Sequence, residues 1–478
     1  MSFEDFLHPL LKHYTGSPQW VKSSVGTLYS LLPATVRYGR AYRGFAKELR
    51  PMHCGAITKL KEQKLLRTLE WTLQSVPAYA PYGHLLNEGH SPYEILARLP
   101  ITDKADYKAM LVSYLSTRMP EATRLPTFTG GSTAAPMRFY LHRGVTRSRE
   151  FAYGQDFDQR CGISTKDVIL TMRGRSVPGA GLPGKSLWMY EPIKRQLILS
   201  SDHLEARYMA QYLEALRLWK PTCIQAFPSA LYPLARWLQD NPAPDVTNRI
   251  QTVQLTSENL YDYQLNTMKK VFSCDIIQHY GHSERVLFGA TISGDDQYYF
   301  WPMYGHLELI DSNGKPIQEP GVLGEIVGTS FDNLVMPFVR YRTGDLGSWA
   351  AKPSEQFSGW QALGKIEGRL QEFVVCKDHR LVSITTLGAA HFDDLAQVDA
   401  IQFVQHVPGI VTLRIQTPSD LPDHVKSRLE RAVCDKTQGG CDVNVECVNK
   451  IERTQRGKLK MLEQHIDIAG YLGAAAIE

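Results

Sequence analysis

The sequence predicts an α/β protein with a large N-terminal domain of layered sheets and helices, including a β-rich subdomain, and a small C-terminal α+β domain. Three observations lead to this fold class. Strand-like and helix-like segments alternate through the middle of the chain. Short strands and turns then follow each other from about residue 295 to 350, and a compact β/α/β pattern begins after residue 369. Such alternation is typical of sheets covered by helices.

The first hundred residues are predicted to be helical. In residues 59–74 the apolar side chains recur three and four positions apart, which is the spacing of one helix face. Further on we expect strands at 168–172 and 252–255, interleaved with helices at 204–219 and 231–238. This order of elements favours a mostly parallel sheet.

The second half of the chain supplies the β-rich subdomain and the small domain. Residues 306–310 alternate as a strand does and are followed by a turn at 311–314. The C-terminal pattern is predicted to contain strands at 373–376, 401–405, 411–416 and 443–448 and a helix at 423–436. We therefore expect a large domain at residues 1–370 and a small domain at 371–478.

The composition of the chain gives no reason to expect nucleic acid or a membrane as a partner. The chain has 53 Lys and Arg against 49 Asp and Glu, a formal net charge of +4 over 478 residues, so its charge gives no reason to expect nucleic acid as the main partner. No apolar run reaches about 18 residues, and we expect no membrane span. The first residues, 1–5, lack the basic region of a signal peptide.

Cysteine usage indicates the compartment. The eight cysteines are scattered and contain no C-x-x-C pair, which predicts neither a disulfide scaffold nor a zinc ribbon. We expect the protein in the reducing cytoplasm.

The segment Thr127–Pro136 is the first candidate for chemistry. Gly130 and Gly131 can adopt a positive φ and direct backbone N–H groups into one concavity, and hydroxyls suit phosphate oxygens. The candidate phosphate-binding residues are Thr129, Gly130, Gly131, Ser132 and Thr133. A Gly-Ser hairpin turn explains the same letters equally well.

Residues 179–186 match the phosphate-binding pattern G-x-x-x-x-G-K-S, but their context argues against it. A true P-loop follows a strand and opens a helix. Here Pro178 precedes the string, and residues 187–192 look like a strand ended by proline. We interpret the match as coincidental.

A second candidate is the segment Gln278–Glu284, which follows a strand-like run. Tyr280 could stack on a base beside Gly281, and the Glu284 carboxylate could hold Mg²⁺. A zinc site is the competing interpretation, and it would use the side chains of His279, His282 and Cys274.

Three further motifs follow downstream. Asp345 is expected on a glycine turn. Its carboxylate could accept two hydrogen bonds from a ribose diol there, or the residue could form an ordinary Asx turn. Arg369 ends a Gly-x-Arg motif, and Gly457 presents Lys458 near the C-terminus. Each of these basic motifs, taken singly, is better explained as a solvated turn.

Together the five motifs occur in one order over about 330 residues, and in that order the chain resembles the adenylate-forming superfamily of acyl-CoA synthetases, luciferases and peptide-synthetase adenylation domains. The first third of the chain narrows the resemblance to one branch of this superfamily. Residues 69–79 and Leu99–Lys104 are similar to the phenylacetate–CoA ligase branch and its CapK-like capsule-biosynthesis relatives, as is the setting of Lys458.

The resemblance implies the reaction and the partners. It implies an ATP- and Mg²⁺-dependent ligase that converts a small carboxylic acid to acyl-AMP with release of pyrophosphate and passes the acyl group to CoA as a thioester. An amide- or ester-forming ligase acting on an amine or a sugar, in secondary-metabolite or polysaccharide biosynthesis, is the alternative. A scaffold with decayed catalysis is a third.

The resemblance also implies a role for each residue. Residues 129–133 would hold the β- and γ-phosphates, and Tyr280 with Gly281 would bind adenine. Glu284 would bind Mg²⁺, and Asp345 with Arg369 would bind the ribose. Ser257 and Glu258 would contact adenine and the substrate. Lys458, on a mobile C-terminal domain, would be the catalytic cation.

The chain departs from the family pattern at three places. Ala134 and Ala135 stand where many members have a glycine and a lysine before the proline, and Gln371 replaces a charged hinge residue. Residues 373–380 lack the glycine common in the CoA ligases. This last departure keeps the alternative acceptors open.

Overall fold

The structure is a computed structural model. It describes residues 5, 7, 14, 17–50, 54–129, 137–173, 177, 180, 186–201, 203–292, 294–311, 313–369, 372–384, 387, 400–453, 459–466 and 468–471. The chain divides into two compact units. The first comprises Met1–Lys166, Glu191–Arg195 and Ile277–Ile366, and the second comprises Asp167–Tyr190, Gln196–Ile276 and Glu367–Glu478.

The α-helices in the described residues are α1 Gln19–Ser30, α2 Ala34–Arg37, α3 Gly39–Glu48, α4 Cys54–Ser75, α5 Pro92–Arg98, α6 Lys104–Ala109, α7 Thr146–Arg160, α8 Ala206–Trp219, α9 Pro228–Asp240, α10 Pro244–Thr247, α11 Asp262–Val271 and α12 Asp423–Lys436. Short 3₁₀ helices cover Pro77–Asn87, Leu111–Tyr114, Glu121–Thr123, Glu355–Phe357 and Ile468–Tyr471. None of the helices in these ranges has the length and apolar character needed to cross a membrane.

The β-strands in the same residues are β1 Arg124–Phe128, β2 Arg138–His142, β3 Ile169–Met172, β4 Trp188–Glu191, β5 Gln196–Leu199, β6 Cys223–Ala226, β7 Thr252–Thr256, β8 Asp275–Gly281, β9 Phe288–Ile292, β10 Asp295–Phe300, β11 Gly305–Ile310, β12 Leu323–Ser330, β13 Tyr341–Trp349, β14 Gln361–Arg369, β15 Phe373–Val375, β16 Leu381–Ser383, β17 Ala400–Val407, β18 Ile410–Gln416, β19 Asp442–Val448 and β20 Leu462–Gln464.

The first unit contains an antiparallel sheet. Its strand order is β11-β12-β13-β14-β10-β9-β8, and the pairs β11/β12, β12/β13, β10/β14, β9/β10 and β8/β9 run antiparallel. The apolar stripe of α4, which includes Leu65 and Leu69, joins Phe338 and Tyr341 in one buried core. The predicted β-rich subdomain and the predicted long N-terminal helix are both confirmed.

The second unit contains a parallel sheet. Its strand order is β7-β6-β3-β5-β4, with β3/β5, β3/β6 and β6/β7 parallel. Every residue of β3, β5 and β6 is buried, as expected when helices cover both faces. Side chains of α8 and α9, such as Tyr212 and Leu231, pack in the same core. The predicted layered α/β architecture is confirmed here.

The C-terminal part of the second unit forms its own small sheet. The order is β19-β18-β17-β20, with β17/β18 antiparallel and β18/β19 and β17/β20 parallel. Leu429 and Val433 of α12 pack on its core beside Phe403 and Leu413. The buried Gln405 accepts a hydrogen bond from the Val375 amide and donates one to the Val375 carbonyl, both at 2.8 Å, and so ties this sheet to the β15–β16 hairpin.

A buried lysine lies on α4, where the helical pattern calls for an apolar side chain. Lys61 is 7% exposed and shares the buried face of α4 with Ile57 and Leu65, four positions to either side. Its Nζ donates to Oε1 of Gln361, whose amide also bonds to both the N–H and the C=O of Leu307. Burial lowers the pKa of Lys61 to about 7.

Replacing Lys61 with methionine should make stability less dependent on pH. Because the pKa of Lys61 is about 7 when folded and 10.5 for an ordinary lysine exposed to water, the unfolded chain binds more protons between these values. The unfolding free energy of the wild type should therefore rise with pH in this window, by up to about 1.4 kcal/mol per pH unit more than that of the variant.

Thermal unfolding at about pH 6, 8 and 10 tests this expectation. The gain in Tm from Lys61→Met should be largest at the lowest pH, where the wild type buries a full charge, while Gln361 keeps its bonds to Leu307. Lys59→Met, at an exposed position of the same helix, is the matched control. Parallel stability curves for the wild type and Lys61→Met would contradict the expectation.

Candidate active site

The hydroxyl-glycine segment connects the two strands of an antiparallel hairpin. Phe128 of β1 pairs with Arg138 of β2, and beyond this pair Thr129 and Met137 close the loop. The Thr129 N–H donates to the Met137 carbonyl at 2.9 Å, and the Met137 N–H donates to Thr129 Oγ1 at 2.9 Å. Gly130, Gly131, Ser132 and Thr133 lie outside the described residues. The buried Thr129 hydroxyl thus closes the base of the loop, and the phosphate role of residues 129–133 stays a prediction.

The P-loop-like string at residues 179–186 lies mostly outside the described residues. The next described element is strand β4, which begins at Trp188. A strand after the string, where a P-loop needs a helix, agrees with the interpretation of the match as coincidental.

Strand β8 and the turn after it position the second motif. Tyr280 and Gly281 are its last residues. The sequence had predicted the aromatic residue just past the strand, whereas the structure places Tyr280 within it. The reason is that β8 continues to pair with β9, with Tyr280 opposite Gly289. The turn that carries Glu284 is held because His282 Nε2 accepts from the Val286 N–H at 3.2 Å.

The histidines of this motif have structural surroundings. His282 holds the turn, and the His279 ring lies 5.4 Å from that of Phe157 and 4.7 Å from that of Phe288. Among the residues that the structure describes, no group of three or more His, Cys, Asp or Glu side chains could hold a metal ion. The zinc interpretation therefore finds no support in this part of the chain.

Asp345 lies on a bulge inside strand β13, and the predicted glycine turn is wrong in this respect. The register between β12 and β13 shifts between Glu325 and Val327, next to Gly344, whose φ is +77°. Glycine adopts this conformation without a steric penalty, and a bulge redirects the side chains beside it. The Thr343 hydroxyl fixes the bulge by donating to the Ile326 carbonyl at 2.8 Å and accepting from the Asp345 N–H at 3.2 Å.

Two hydrogen bonds join the second motif to the third. The Tyr280 hydroxyl donates to Asp345 Oδ2 at 2.8 Å, and the Tyr341 hydroxyl donates to Glu284 Oε1 at 2.9 Å. Tyr341 is 3% exposed, and burial together with the Glu284 charge raises its pKa. Its hydroxyl therefore stays protonated and orients the carboxylate. The structure thus brings together Tyr280, Glu284 and Asp345, all from the first unit.

The segment Leu99–Lys104 supports the strand that carries Asp345. Thr102 pairs in parallel with Tyr341, its N–H donating to the Arg340 carbonyl at 3.0 Å and its carbonyl accepting from the Arg342 N–H at 2.8 Å. Asp103 caps helix α6. The sequence marked this segment as a family signature, and the structure gives it a physical role beside Tyr341.

Arg340 has a structural role. It is buried, pairs with Glu308 at 3.0 Å, and donates to the carbonyl groups of Ala97 and Leu99. Its φ of +46° places the backbone in the left-handed region just before β13 begins. The guanidinium therefore holds residues 97–99 against the β-rich sheet.

The surroundings of Asp345 are acidic. Burial raises the pKa of Glu325, and Asp103 and Asp345 add to this effect, while the Arg342 guanidinium opposes it. Arg342 forms an ion pair with Glu325 at 2.6 Å. Asp345 therefore lies near a second carboxylate, whose charge the Arg342 guanidinium offsets.

The predicted residues of the second unit lie on different elements. Ser257 is exposed, with φ +67°, directly after β7. The Glu258 carboxylate accepts hydrogen bonds from Ser229, one from its N–H and one from its hydroxyl, both at 3.0 Å. The backbone of Arg369 ends β14, while the Arg369 side chain and the whole of Lys458 lie outside the described residues.

Comparisons with known proteins bear on the fold. No protein-family model matches the chain. The chain is 21% identical over 436 residues to the protein CapK of Staphylococcus aureus, covering 90% of this chain and 94% of CapK. A crystal structure of 2-hydroxyisobutyryl-CoA ligase in the postadenylation state, with an acyl-AMP named R3-HIB-AMP, matches with a TM-score of 0.68 at 16% identity. The match covers 87% of this chain and 91% of the ligase.

This chain has the adenylate-forming fold. The same ligase in its thioesterification state, with 2-HIB-AMP and CoA, matches with a TM-score of 0.55 at 15% identity over 87% of this chain and 92% of the other. The resemblance predicted from the five ordered motifs is thereby confirmed at the level of the fold.

The residues that the adenylate-forming fold presents here suit Mg²⁺ and ATP. Mg²⁺ in nucleotide sites is bound by one or two carboxylates and by the phosphates themselves, so a complete protein cage is not required. Glu284, oriented by the Tyr341 hydroxyl, has the chemistry of such a ligand. Tyr280 offers an aromatic ring beside the Asp345 carboxylate, which together fit a base and a ribose diol.

Proposed function

We propose that this protein is an ATP- and Mg²⁺-dependent ligase that activates a carboxylic acid as acyl-AMP and then transfers the acyl group to CoA. The observation that carries the proposal is the pair of hydrogen bonds that join Tyr280 to Asp345 and Tyr341 to Glu284. The fold shared with a CoA ligase crystallised with acyl-AMP and CoA supports it.

The proposed reaction has two steps. A substrate carboxylate oxygen attacks the α-phosphorus of ATP, and the bond to the leaving pyrophosphate breaks. The CoA thiolate then attacks the acyl carbon, AMP leaves, and the thiol proton is released. In the first step the protein mainly supplies positioning and neutralises charge.

In this proposal the first four of the five motifs hold the nucleotide. The Tyr280 ring and Gly281 bind adenine, and Asp345 accepts the ribose hydroxyls with help from Arg369. Glu284 contributes a carboxylate for Mg²⁺, which supplies charge neutralisation at the phosphates. Residues 129–133 bind the β- and γ-phosphates.

The remaining roles concern the substrate and the catalytic cation. Ser257 is proposed to contact adenine or the substrate. Lys458 is proposed to bridge the substrate carboxylate and the α-phosphate, where a fixed cation offsets negative charge that develops in the transition state. We propose that residues 1–370 form the adenylating domain and residues 371–478 a small mobile domain. None of the eight cysteines, which all lie in the described residues, forms a disulfide bond, and this supports the reducing cytoplasm that we propose as the location.

One observation favours a different acceptor. The β15–β16 hairpin lies in the segment 373–380, which lacks the glycine common in the CoA ligases that the chain resembles. The residue with a left-handed backbone in its turn is the exposed His379, with φ +66°. An amine or a sugar acceptor, giving an amide or an ester, is therefore the second candidate.

Mass spectrometry can test the proposal. The protein is incubated with ATP, Mg²⁺ and a library of carboxylic acids, and the acyl-AMP is sought. CoA or a panel of amines and sugars is then added, and the acceptor that accelerates AMP release is identified. The absence of acyl-AMP and of pyrophosphate exchange with every acid would contradict the proposal and favour a non-catalytic scaffold.

Asp345→Ala should abolish discrimination between ATP and 2′-deoxy-ATP. A carboxylate that accepts hydrogen bonds from the ribose contributes about 1.5–3 kcal/mol through charged hydrogen bonds. The wild type should then prefer ATP in kcat/KM by about tenfold or more. Tyr280→Phe, which removes the hydroxyl donor to Asp345 and keeps the ring, should retain most of the preference. A preference unchanged in Asp345→Ala would contradict the ribose role.

A further inference from the structure

Helix α1 exposes its apolar side chains and buries its polar side. The exposed apolar positions of α1 and its C-cap, each between 52% and 74% exposed, are Trp20, Val25, Leu28 and Leu31. With about 100° between successive residues, they fall within about 140° of the helix circumference. Lys22 and Gly26 lie on the opposite side and are buried. A helix that faces only water has the reverse arrangement.

The contacts of α1 within the first unit fix this orientation. A side chain at Gly26 would collide with Pro192, so the glycine lets α1 lie directly against the turn at residues 191–195. The Arg37 guanidinium lies 4.7 Å from the centre of the Tyr29 ring and ties α1 to α2. The packed side of α1 is therefore its polar side, and the apolar side faces outward.

The exposed apolar residues of the chain are concentrated in this region. Five of the fourteen large apolar residues that are exposed in the described chain lie within residues 20–36, the fifth being Val36 of α2. Single exposed apolar residues are ordinary, whereas a cluster of them marks an interaction site. We therefore looked for the chemistry of the partner in the charges beside the cluster.

The near-balanced charge of the whole chain hides an uneven distribution. Residues 17–50 contain six of the 53 Lys and Arg but one of the 49 Asp and Glu, which leaves 47 basic and 48 acidic residues elsewhere. The one acid, Glu48, pairs with Lys64 at 2.8 Å. Helix α3 and the turn after it carry an exposed basic stripe with spacings of three and four, formed by Arg40, Arg43, Lys47 and Arg50.

We propose that α1 and α3 form a docking surface for an anionic lipid bilayer. A bilayer supplies both chemistries that the two helices present, an apolar layer for the side chains of α1 and anionic head groups for the basic stripe of α3. Trp20 is of the residue type enriched at membrane–water interfaces. With 12 residues, α1 is too short to cross a hydrocarbon core of about 30 Å, so it lies on the membrane surface.

The basic stripe argues against a second copy of this chain as the partner. In a two-fold dimer both subunits use the same patch, so the two stripes would be brought close together and would repel each other. Anionic head groups instead neutralise the stripe. The docking surface goes beyond the proposed reaction and does not depend on it, because binding to vesicles is measured without ATP or acid.

Flotation of the full-length protein with lipid vesicles tests the proposal. Phosphatidylcholine vesicles with and without about 30% phosphatidylglycerol are compared at about 0.1 M and about 0.5 M NaCl. Binding to the anionic vesicles at the lower salt concentration should be about tenfold tighter than to the neutral ones, and most of this difference should vanish at the higher one. Absence of binding to anionic vesicles, or equal binding to both compositions, would overturn the proposal.

Leu28→Glu tests the apolar face, and Leu218→Glu is its matched control. Leu28 and Leu218 are 69% and 63% exposed on helices, but Leu218 belongs to α8 in the second unit. Leu28→Glu should weaken binding to anionic vesicles about tenfold or more, because a carboxylate replaces an inserted apolar side chain and repels the head groups. Leu218→Glu should stay within about twofold of the wild type. Equal effects of the two substitutions would contradict the assignment of the apolar face.

The double variant Arg43→Ala/Lys47→Ala tests the basic stripe. It should weaken binding to anionic vesicles about tenfold or more, since each basic residue near such a surface contributes about fivefold. Lys269→Ala/Lys270→Ala removes the same charge from exposed positions of α11 and should have little effect. Equal losses would show that net charge and not the stripe attracts the vesicles. If Leu28→Glu lowers the melting temperature, this double variant decides the proposal.

Sedimentation velocity without lipid detects the other partner that the face could take. A wild-type dimer that Leu28→Glu converts to a monomer, together with absence of vesicle binding, would overturn the proposal and assign the face to a second copy. Binding to anionic vesicles that both Leu28→Glu and Arg43→Ala/Lys47→Ala weaken, with both controls unchanged, is the result that supports it.

Discussion

Replacing Lys458 with alanine should reduce ATP–pyrophosphate exchange by about a hundredfold to a thousandfold and leave the thermal stability of the protein unchanged. Removal of one fixed group that stabilises transition-state charge typically has an effect of this size. Lys458 stands in a polar, basic stretch of the sequence, so we expect the variant to fold normally. Exchange is measured with an acid that the library screen has identified.

Lys460→Ala is the matched control for this prediction. It removes the same charge two positions further along the chain, and Lys460 contributes its backbone carbonyl, not its side chain, to a hydrogen bond from Gln402. Exchange within about twofold of the wild type is expected for Lys460→Ala, since Lys460 is not among the residues proposed to contact the nucleotide or the substrate. Equal losses in both variants would show that general charge, not the position of Lys458, matters.

A second readout locates the defect in the first step. If Lys458 acts on the α-phosphate, the variant should still transfer the acyl group from chemically prepared acyl-AMP to the acceptor. The second step breaks the bond between the acyl carbon and AMP and involves no attack at the α-phosphorus. Loss of both half-reactions would therefore contradict a role of Lys458 confined to adenylation.

The sequence predicted the elements well where a local pattern determines them. Spacing of three and four predicted α4, and short apolar runs predicted β3 and β7, because burial of one face or of both faces leaves a period in the sequence. The five ordered motifs predicted the fold in a different way, through a resemblance to a known superfamily, and each motif is a short stretch of neighbouring residues.

Contacts between distant residues could not be predicted from such patterns. Lys61 and Gln361 are 300 positions apart, and Tyr341 is 57 positions from Glu284. No repeating pattern in the sequence indicates these pairs. The burial of Lys61 and the orientation of the Glu284 carboxylate by Tyr341 were therefore not predicted. The bulge at Gly344 illustrates a different limit, because a positive φ suits both a turn and a bulge, and the pairing of β12 with β13 decides between them.

The orientation of Glu284 by Tyr341 leads to the second large expected effect. Glu284→Gln should raise the Mg²⁺ concentration needed for half-maximal exchange by about tenfold or more, because it removes the charge that attracts the cation. Glutamine keeps an oxygen that can accept the Tyr341 hydroxyl bond, so the buried phenol does not lose its partner. The KM for ATP, extrapolated to saturating Mg²⁺, should change much less.

Tyr341→Phe is the informative companion, because it keeps the carboxylate and removes the donor that orients it at 2.9 Å. We expect a smaller shift in the Mg²⁺ titration, about threefold, as one hydrogen bond to a carboxylate is lost while its charge remains. If Glu284→Gln and the wild type gave the same Mg²⁺ titration, Glu284 would not bind the metal. If Tyr341→Phe had the larger effect, the pair would act through packing around β13, because a residue that only orients a ligand cannot matter more than the ligand itself.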